Sequence, residues 1–386
     1  MYKSPVLKVI IGIAIIALIG FTYAGCGGGG SSSGSSATPT PTLVWKNIAG
    51  GYTHSAAVNI DGTLWVWGEN FNGQLGDGSN MDKTIPTQIT GTGWSDVACG
   101  WYFTVALKTN GTLWSAGSNF AGKLGLGDTD SRNTFTQISG TDWSAIVAGK
   151  DHCVALKNNG TLWTWGYNVN GALGDGTYTN NSTPTQVGAS FNWSVIGAGA
   201  YHTLAIQTDG VLWTWGANES GQLGDGTNFY RNTPAQITGT GWSKIECGYS
   251  YTTAIKSNGT LWTWGWNLYG ELGDGTYISK NLPAQIGADM DWLTVTAGSG
   301  HTIALKTGGT LWAWGINING ALGDGTNTPK NVPTQIPATG WSDIACGFYH
   351  TVGLKTNGTL WAWGLNSDSQ IGDGTTVDKN EPTSID

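Results

Sequence analysis

The sequence predicts an all-β protein: a seven-bladed β-propeller of four-stranded blades, closed by a terminal strand. Three observations predict this fold. The pair Leu-Trp recurs seven times along 386 residues, Gly and Trp are unusually frequent with 62 and 22 residues, and Asn-Gly or Asp-Gly turns separate short alternating runs. Seven four-stranded units can hide their strand edges by closing into a ring.

The tryptophans mark the repeat. The Trp of the Leu-Trp pair advances in steps of 49 or 50 residues, and a second Trp series keeps the same steps. At a third position, before Gly, six repeats carry Trp and the second carries Ala116. These positions hold 20 of the 22 Trp residues. We expect the rings to pack between blades, since burying each is worth roughly 4–6 kcal/mol. The two complete series are Trp65, Trp114, Trp163, Trp213, Trp262, Trp312, Trp361 and Trp45, Trp94, Trp143, Trp193, Trp242, Trp292, Trp341.

Each unit reads as four short strands. In the seventh repeat three of them are WSDIACG, HTVGLKT and TLWAWG, and PTQI or its equivalent is the fourth. Asn-Gly between such runs is a strong hairpin signal, because both residues tolerate a positive φ. A linear solenoid is the rival architecture, but its end repeats would be atypical and polar. The sequence runs to PTSID, as far as a fourth strand, which predicts that a terminal strand completes a shared blade.

Residues 1–25 are predicted to be a signal peptide. Two lysines precede the apolar run Val9–Phe21, which is short for a membrane span. The stretch TYAGC resembles a bacterial lipobox, although it lacks the usual Leu, and it predicts lipidation at Cys26. Cleavage after Ala24, which would leave a soluble exported protein, is the alternative.

The rest of the chain is predicted to be a tethered, exported domain. Residues 26–42 are rich in Gly and Ser and then in Thr and Pro, which is typical of a linker, and residues 43–386 form the propeller. We therefore expect a cell-envelope lipoprotein of the outer membrane or cell surface. Only 11% of residues are charged, and the net charge of −8 comes without a basic cluster. This composition argues against nucleic-acid binding.

The repeat unit G-x-x-H-T-x-A-L-K-x-x-G-T-L-W-x-W-G-x-N-x-x-G-x-L-G resembles the regulator of chromosome condensation repeat over residues 43–386. The resemblance implies a seven-bladed propeller but assigns no role, because propellers host many functions. Family members acting on nuclear partners do not suit an exported acidic chain. The plant ultraviolet-B photoreceptor has a GWRHT motif, whereas Trp101 lies in GWYFT. Secreted bacterial β-lactamase inhibitors with a related propeller bind a protein through the loop-rich face.

Polar residues within the repeat are given structural roles. One repeat position holds His in five copies and Phe103 or Tyr251 in the other two, which is typical of packing rather than of metal binding or catalysis. The four cysteines of the propeller form no CxxC pair, and a Cys99–Cys153 disulfide is the pairing left open. Asp in the recurrent GDG stretches is what turns require. We therefore predict no catalytic residues, no metal site and no cofactor.

Strand parity places the loops after the first and third strands on the same face of the propeller. Both loops vary between repeats, as in SNMDKTIP and TNFYRNTP. Variable loops on a rigid scaffold carry function, and surface Tyr and Trp anchor interfaces, so we predict that this face binds a partner. The candidates are Tyr52, Trp101, Tyr102, Tyr167, Tyr201, Tyr249, Trp266, Phe348 and Tyr349. The alternative is that these rings only pack the channel.

The sequence therefore predicts a non-catalytic, monomeric binding propeller that recognises a macromolecule, with a protein favoured as partner. Glycan binding by the same aromatic residues is the alternative. Guanine-nucleotide exchange, as in the eukaryotic chromatin members that the repeat resembles, is a further alternative.

Overall fold

The computed structural model describes residues 43–190 and 192–385. They form seven four-stranded antiparallel sheets, with a single turn of 3-10 helix at Phe120–Gly122. We number the strands in chain order and the blades 1 to 7, four strands to a blade. The strands are β1 Trp45–Gly50, β2 His54–Asn59, β3 Leu64–Gly68, β4 Lys83–Gln88, β5 Trp94–Cys99, β6 Phe103–Lys108, β7 Leu113–Gly117, β8 Arg132–Gln137, β9 Trp143–Ala148, β10 His152–Lys157, β11 Leu162–Gly166, β12 Asn181–Gln186, β13 Trp193–Ala198, β14 His202–Gln207, β15 Leu212–Gly216, β16 Arg231–Gln236, β17 Trp242–Cys247, β18 Tyr251–Lys256, β19 Leu261–Gly265, β20 Lys280–Gln285, β21 Trp292–Ala297, β22 His301–Lys306, β23 Thr310–Gly315, β24 Lys330–Thr339, β25 Trp341–Cys346, β26 His350–Lys355, β27 Leu360–Gly364 and β28 Lys379–Ser384.

The all-β, seven-bladed fold is confirmed, and one detail of its closure is corrected. Every blade consists of four consecutive strands, so no terminal strand completes a blade shared between the two ends of the propeller. β1 is the inner strand of blade 1, and β28 is the outer strand of blade 7. A shared blade is unnecessary because the sequence repeat is in frame with the blade, and the last seam can be built like the others.

The seam between blades 7 and 1 uses the contacts that recur around the ring. The carbonyl of Gln370 accepts hydrogen bonds from Ser55 Oγ at 2.8 Å and from Trp67 Nε1 at 2.9 Å. At the seam between blades 3 and 4, the carbonyl of Ala172 accepts from Thr203 Oγ1 at 2.8 Å and from Trp215 Nε1 at 2.9 Å. Ring closure is therefore noncovalent and uses the same contacts as the seam between blades 3 and 4.

Two of the three repeat-locked tryptophan positions are buried in the core, as predicted, whereas the Trp of the Leu-Trp pair is half-buried at its edge. In each blade the Trp of the first strand meets the Trp of the third strand edge to face, with ring centroids 5.8 Å apart in blade 1 and 6.4 Å apart in blade 2. The Trp that precedes Gly in the third strand is fully buried against the preceding blade, as at Trp215. Edge-to-face pairing is the geometry that the ring quadrupole favours.

Blade 2 replaces that buried Trp by Ala116 and compensates from another strand. Phe135 stands where the other six repeats have Pro, and its ring lies 5.4 Å from that of Trp94. A Cβ added to Gly76 would meet the Phe135 ring at 2.5 Å, just as one added to Gly174 would meet Trp215 at 2.6 Å. The Phe135 ring thus occupies the volume left by the missing indole.

The loop after each third strand is held by a buried Asn. Asn168 donates from Nδ2 to Asp175 Oδ1 at 3.2 Å, and its Oδ1 accepts from the backbone N–H of Leu173 at 2.9 Å. In six blades a Lys or Arg also pairs with the equivalent Asp, as Lys83 does with Asp77 at 2.9 Å. The recurrent Asn and Asp therefore build a turn, as the sequence indicated.

Candidate functional site

Two sets of loops meet at one end of the propeller, which we call the loop face. The loop after each first strand is joined to the start of the loop after the third strand by a backbone hydrogen bond. Glu69 N–H donates to Thr53 O at 2.9 Å in blade 1, and Tyr167 N–H donates to Asp151 O at 2.8 Å in blade 3. The antiparallel order of the strands brings both loops to this end, so the face predicted to vary is continuous.

Eight of the nine predicted aromatic residues form one chain of ring contacts around the channel entrance. Tyr52 is central, with its ring centroid 4.4 Å from Trp101 and 4.6 Å from Phe348. Tyr249 lies 6.0 Å from Trp101 and 6.2 Å from Tyr201. All eight rings are half-buried. We call this set the mouth cluster: Tyr52, Trp101, Tyr102, Tyr167, Tyr201, Tyr249, Phe348 and Tyr349.

The ninth residue, Trp266, lies outside the mouth cluster. Its side chain is 37% exposed, and within the described residues no aromatic ring stacks on it. It follows the third strand of blade 5 at the position of Tyr167 in blade 3, but the next blade has Gly300 at the first-loop position where blade 4 has Tyr201. Tyr167 finds Tyr201 at 5.8 Å, whereas Trp266 has no such partner.

The mouth cluster covers one end of a narrow central channel. The channel is lined by the ends of the first strands, and its volume is about 100 Å³. Trp101, Tyr249 and Phe348 also line it, so these rings contact both the channel wall and the outer surface. Half-buried aromatic rings of this kind can pack the channel and still present an edge to a partner.

Lys150 belongs to the site, although the sequence prediction missed it. Its ammonium group lies 4.0 Å from the ring centroid of Trp101 and 4.7 Å from that of Tyr201, and it donates to Tyr201 Oη. A cation over aromatic faces is stabilised by the ring quadrupoles. The signal was available: Lys150 is the one charged residue at a loop position that holds aromatic rings in Tyr52, Trp101 and other repeats.

Burial favours the protonated form of four phenols of the mouth cluster. It raises the pKa of Tyr52, Tyr201 and Tyr249, and it raises the pKa of Tyr102 to about 12. Glu69 beside them also has a raised pKa, first because of burial and then because of repulsion by Asp368. At neutral pH these four phenols therefore offer hydroxyl donors rather than phenolates.

A second exposed set lies around the mouth cluster and was also missed. The residue directly after the buried Asn is exposed and apolar in five of the seven blades, and Phe120 joins this rim to the mouth cluster through a stacked contact with Tyr167 at 6.1 Å. The sequence could have indicated this set, because an apolar residue recurs at a loop position that does not need one for packing. The members are Phe71 (77% exposed), Phe120 (60%), Val169 (54%), Leu268 (55%) and Ile318 (63%).

A buried ion pair supports the mouth cluster from below. Lys123, 2% exposed, donates to Asp151 Oδ1 at 2.7 Å and to the carbonyl oxygen of Trp101 at 2.9 Å. Burial lowers the pKa of Lys123, and the Asp151 carboxylate opposes that shift. The ion pair thereby fixes the loop that carries Trp101.

Lys123→Ala is expected to lower the free energy of unfolding by about 3–5 kcal/mol, because it leaves Asp151 buried without its cation. The double variant Lys123→Ala/Asp151→Tyr should recover most of that loss, since it reproduces the pair Ala172 and Tyr201 at the next seam. Urea denaturation measures both values. A double variant as unstable as the single one would contradict this account.

The histidines hold the seams between blades. His54 Nε2 lies 2.9 Å from Thr104 Oγ1 of the next blade. Thr104 donates its own hydroxyl proton to Gln74 O at 2.7 Å, so the imidazole is the donor. In the described residues all four cysteines are free, and the Cys99–Cys153 disulfide is not formed. Cys153 stands where Thr104 stands in its blade, opposite Phe103 rather than a histidine.

Burial lowers the pKa of His202 to about 3 in the folded protein. As the pH falls from about 6.5, the unfolded chain therefore takes up a proton on this residue before the folded chain does. The stability that His202 contributes is complete above pH 6.5 and is lost towards pH 3. We expect His202→Phe/Thr252→Cys, which reproduces the pair Phe103 and Cys153, to show a smaller fall in melting temperature between pH 7 and pH 4. Thr252→Cys alone is the control, and an unchanged pH dependence in the double variant would refute the assignment.

Comparison with known families places the repeat. The regulator of chromosome condensation (RCC1) repeat matches in seven consecutive copies, and a second form of the same repeat matches seven shorter segments. The matched residues are 61–107, 110–156, 159–206, 209–255, 258–305, 308–354 and 357–386 for the first form, and 45–74, 94–123, 143–172, 194–222, 242–271, 293–321 and 341–370 for the second.

Solved structures show the same fold at low identity. Human WBSCR16 is 24% identical with a TM-score of 0.75, covering 82% of this chain and 88% of that one. Prp20p of Saccharomyces cerevisiae is 21% identical with a TM-score of 0.77, covering 85% and 87%. The ultraviolet-B receptor UVR8 of Arabidopsis thaliana is 43% identical, but over 44 residues, which are 11% of this chain and 10% of the receptor.

Two predictions concern residues 1–42, which lie outside the described residues: the signal peptide with its lipidation site at Cys26, and the linker. Within the residues that the structure describes, no helix has the length and apolar character needed to cross a membrane.

Proposed function

The chain belongs to the regulator of chromosome condensation (RCC1) repeat family, and on that premise we propose that it is a non-catalytic scaffold that binds another protein through its loop face. It works as an exported monomer, held at the outer membrane or cell surface by lipid on Cys26. The observation that carries the proposal is the convergence of eight half-buried aromatic rings on one rigid face. Such rings are the usual anchors of protein interfaces.

The surroundings of the mouth cluster support a macromolecular partner. The apolar rim, with Phe71 77% exposed and Ile318 63% exposed, widens the surface beyond the dimensions of a small-ligand pocket. The channel behind it, about 100 Å³, is smaller than the pockets of roughly 300–1,000 Å³ that hold drug-sized ligands. A broad apolar face rimmed by polar residues is typical of protein–protein contact.

Relatives support the class of partner but not its identity. The solved structures include yeast RCC1 (Prp20) with Kap60 bound, and Prp20p is described with its binding to Gsp1p and histones. These partners are all proteins. We carry over only the use of the propeller as a protein-binding surface, because identities near 20% support the fold alone.

Crosslinking and pulldown from native cell envelope test the proposal directly. The full chain, with a photoreactive group at the position of exposed Phe71, should yield a specific protein adduct, and a group at Lys46 of an inner strand serves as the matched control. A glycan array separates the alternative of carbohydrate recognition, and nucleotide release from a small GTPase tests exchange activity. Capture of glycans without a protein adduct would overturn the proposal, as would acceleration of nucleotide release.

Anchoring has a separate test. Cys26→Ser is expected to abolish incorporation of labelled palmitate and to move the protein from the membrane fraction to the soluble fraction, because one thiol accepts the lipid. Cys99→Ser, a change within the propeller, is the control and should leave labelling intact. Unchanged membrane association of Cys26→Ser would show that the chain is held in another way.

A further inference from the structure

Charge on the loop face is unevenly balanced. The aspartates of the turns after the third strands are neutralised by a Lys or Arg of the same blade in six of the seven blades, as Asp373 is by Lys379 at 3.0 Å. Glu69 and Asp368 differ: among the described residues no Lys, Arg or His nitrogen lies within 4.0 Å of either carboxylate. Two carboxylates beside the mouth cluster are thus left without a cation.

These carboxylates lie on the two sides of the seam between blades 7 and 1. Glu69 accepts a hydrogen bond from Thr53 Oγ1. The backbone N–H of Asp368 donates to Gln370 Oε1 at 2.9 Å, and the Gln370 carbonyl is held by Trp67 Nε1 of blade 1. The hydrogen bonds of the seam therefore fix both acids on the same short stretch of surface.

Aromatic side chains surround the two carboxylates on this part of the loop face. The Tyr52 ring lies 5.2 Å from that of Tyr102, and the negative charges of Glu69 and Asp368 raise the pKa of both phenols in addition to burial. Tyr349 lies in the same part of the mouth cluster, since its ring centroid is 4.4 Å from that of Phe348, which is 4.6 Å from that of Tyr52. We call Glu69, Asp368, Tyr52, Tyr102 and Tyr349 the anionic notch.

The adjoining part of the mouth cluster, around Trp101, shows what these rings can hold. The ammonium group of Lys150 sits 4.0 Å from the ring centroid of Trp101, and the ring of Tyr52 lies 4.4 Å from the same indole. One side of the mouth cluster is thus filled by a cation of the protein itself. The part beside Glu69 and Asp368 has comparable rings and adds two carboxylates, and among the described residues no Lys, Arg or His nitrogen lies within 4.0 Å of either carboxylate.

We propose that the anionic notch binds a lysine or arginine side chain presented by the protein partner. A cationic side chain there would donate charge-assisted hydrogen bonds to the carboxylates and would contact the ring faces. It would also relieve the repulsion between Glu69 and Asp368. The inference deepens the proposed function by giving the chemistry of the partner segment: basic, and long enough to reach the mouth cluster.

Fluorescence anisotropy with two labelled peptides of defined sequence tests the inference on the full chain. The cationic probe is Gly-Lys-Gly-Arg-Gly-Lys-Gly, and the acidic control has Glu at each charged position. The protein should bind the cationic probe, more weakly at high salt, and Glu69→Gln/Asp368→Asn should weaken binding about tenfold or more. The matched control Asp130→Asn/Glu219→Gln removes the same charge from exposed positions of the loop face and should change binding less than about twofold.

Three results would overturn the inference: no binding of the cationic probe, equal binding of the acidic probe, or equal weakening by both double variants. Folding is checked by the melting temperature, which Glu69→Gln/Asp368→Asn should maintain because it removes a repulsive pair. Failure here is distinguishable from failure of the proposed function. A protein adduct that forms without cationic binding would refute the anionic notch alone.

Discussion

Capture of the protein partner should weaken about a hundredfold or more when Trp101, Tyr249 and Phe348 are replaced together by alanine. The three rings contact one another across the channel entrance, with centroids 5.0 Å apart for Trp101 and Phe348 and 6.0 Å apart for Tyr249 and Phe348. They are half-buried and lie at the mouth rather than within the blade seams. We therefore expect the melting temperature to fall by only about 5 °C.

The matched control lies on the opposite face. Ile60 and Met290 are exposed by 62% and 61%, and they belong to turns at the other end of the propeller. Ile60→Ala/Met290→Ala removes exposed apolar surface without touching the mouth cluster and should leave capture unchanged. If the triple variant unfolds to the same extent that it loses binding, the rings serve the channel core instead. If it keeps full binding, the loop face is not the docking surface.

A large loss of stability is expected when the buried tryptophan of a third strand is removed. Trp215 is fully buried, packs against Gly174 of the preceding blade and donates to Ala172 O at 2.9 Å. Trp215→Ala should lower the free energy of unfolding by about 3–5 kcal/mol, because it opens a large cavity at a seam. Chemical denaturation followed by tryptophan fluorescence measures the change.

The chain supplies its own rescue experiment. Blade 2 tolerates Ala116 because Phe135 fills the space of the missing indole. The variant Trp215→Ala/Pro234→Phe places the same two residues in blade 4 and should regain a large part of the lost stability. The converse variant, Ala116→Trp/Phe135→Pro, restores the common pattern in blade 2 and should fold with near wild-type stability. A double variant no better than Trp215→Ala would show that Phe135 does not substitute for the indole.

Much of the fold was predictable from sequence because the packing constraint repeats. Burying a ring at each of seven seams requires Trp at fixed spacing, and that spacing fixed the blade number and the four strands per blade. Closure was not predictable in the same way. Whether the last strand joins blade 1 or blade 7 depends on where the repeat frame starts relative to the blade, and the hairpin signals are equally consistent with both.

The departures from the repeat needed the structure. Ala116 with Phe135, Phe103 with Cys153, and Lys123 with Asp151 each join residues that are distant in sequence, so their complementarity becomes visible only when the seams are formed.

The candidate site, like the fold, was predictable from sequence only in part. Strand parity placed all nine aromatic residues on one face, because strand direction alternates strictly, and eight of them form the mouth cluster. Trp266 was grouped with them, but the next blade has Gly300 where blade 4 has Tyr201, so it has no ring to join. Lys150 was missed since a lysine at a surface loop is usually solvated, and its contact with Trp101 depends on side-chain direction. The rim, including Phe71, was missed because a single apolar residue in a loop does not form a strand-like or helical pattern with other apolar residues of its blade.

The uninterrupted run of each blade along the chain has a consequence for how such a protein can change. Each described sheet is built from one continuous segment of the chain. Duplication or deletion of one whole repeat therefore leaves every remaining sheet intact and changes only the circumference of the propeller. The same independence allows the old ends to be joined and new ones to be opened between any two blades, so circular permutation preserves all seven sheets. Diversity in recognition can then arise by shuffling complete modules rather than by remodelling strands.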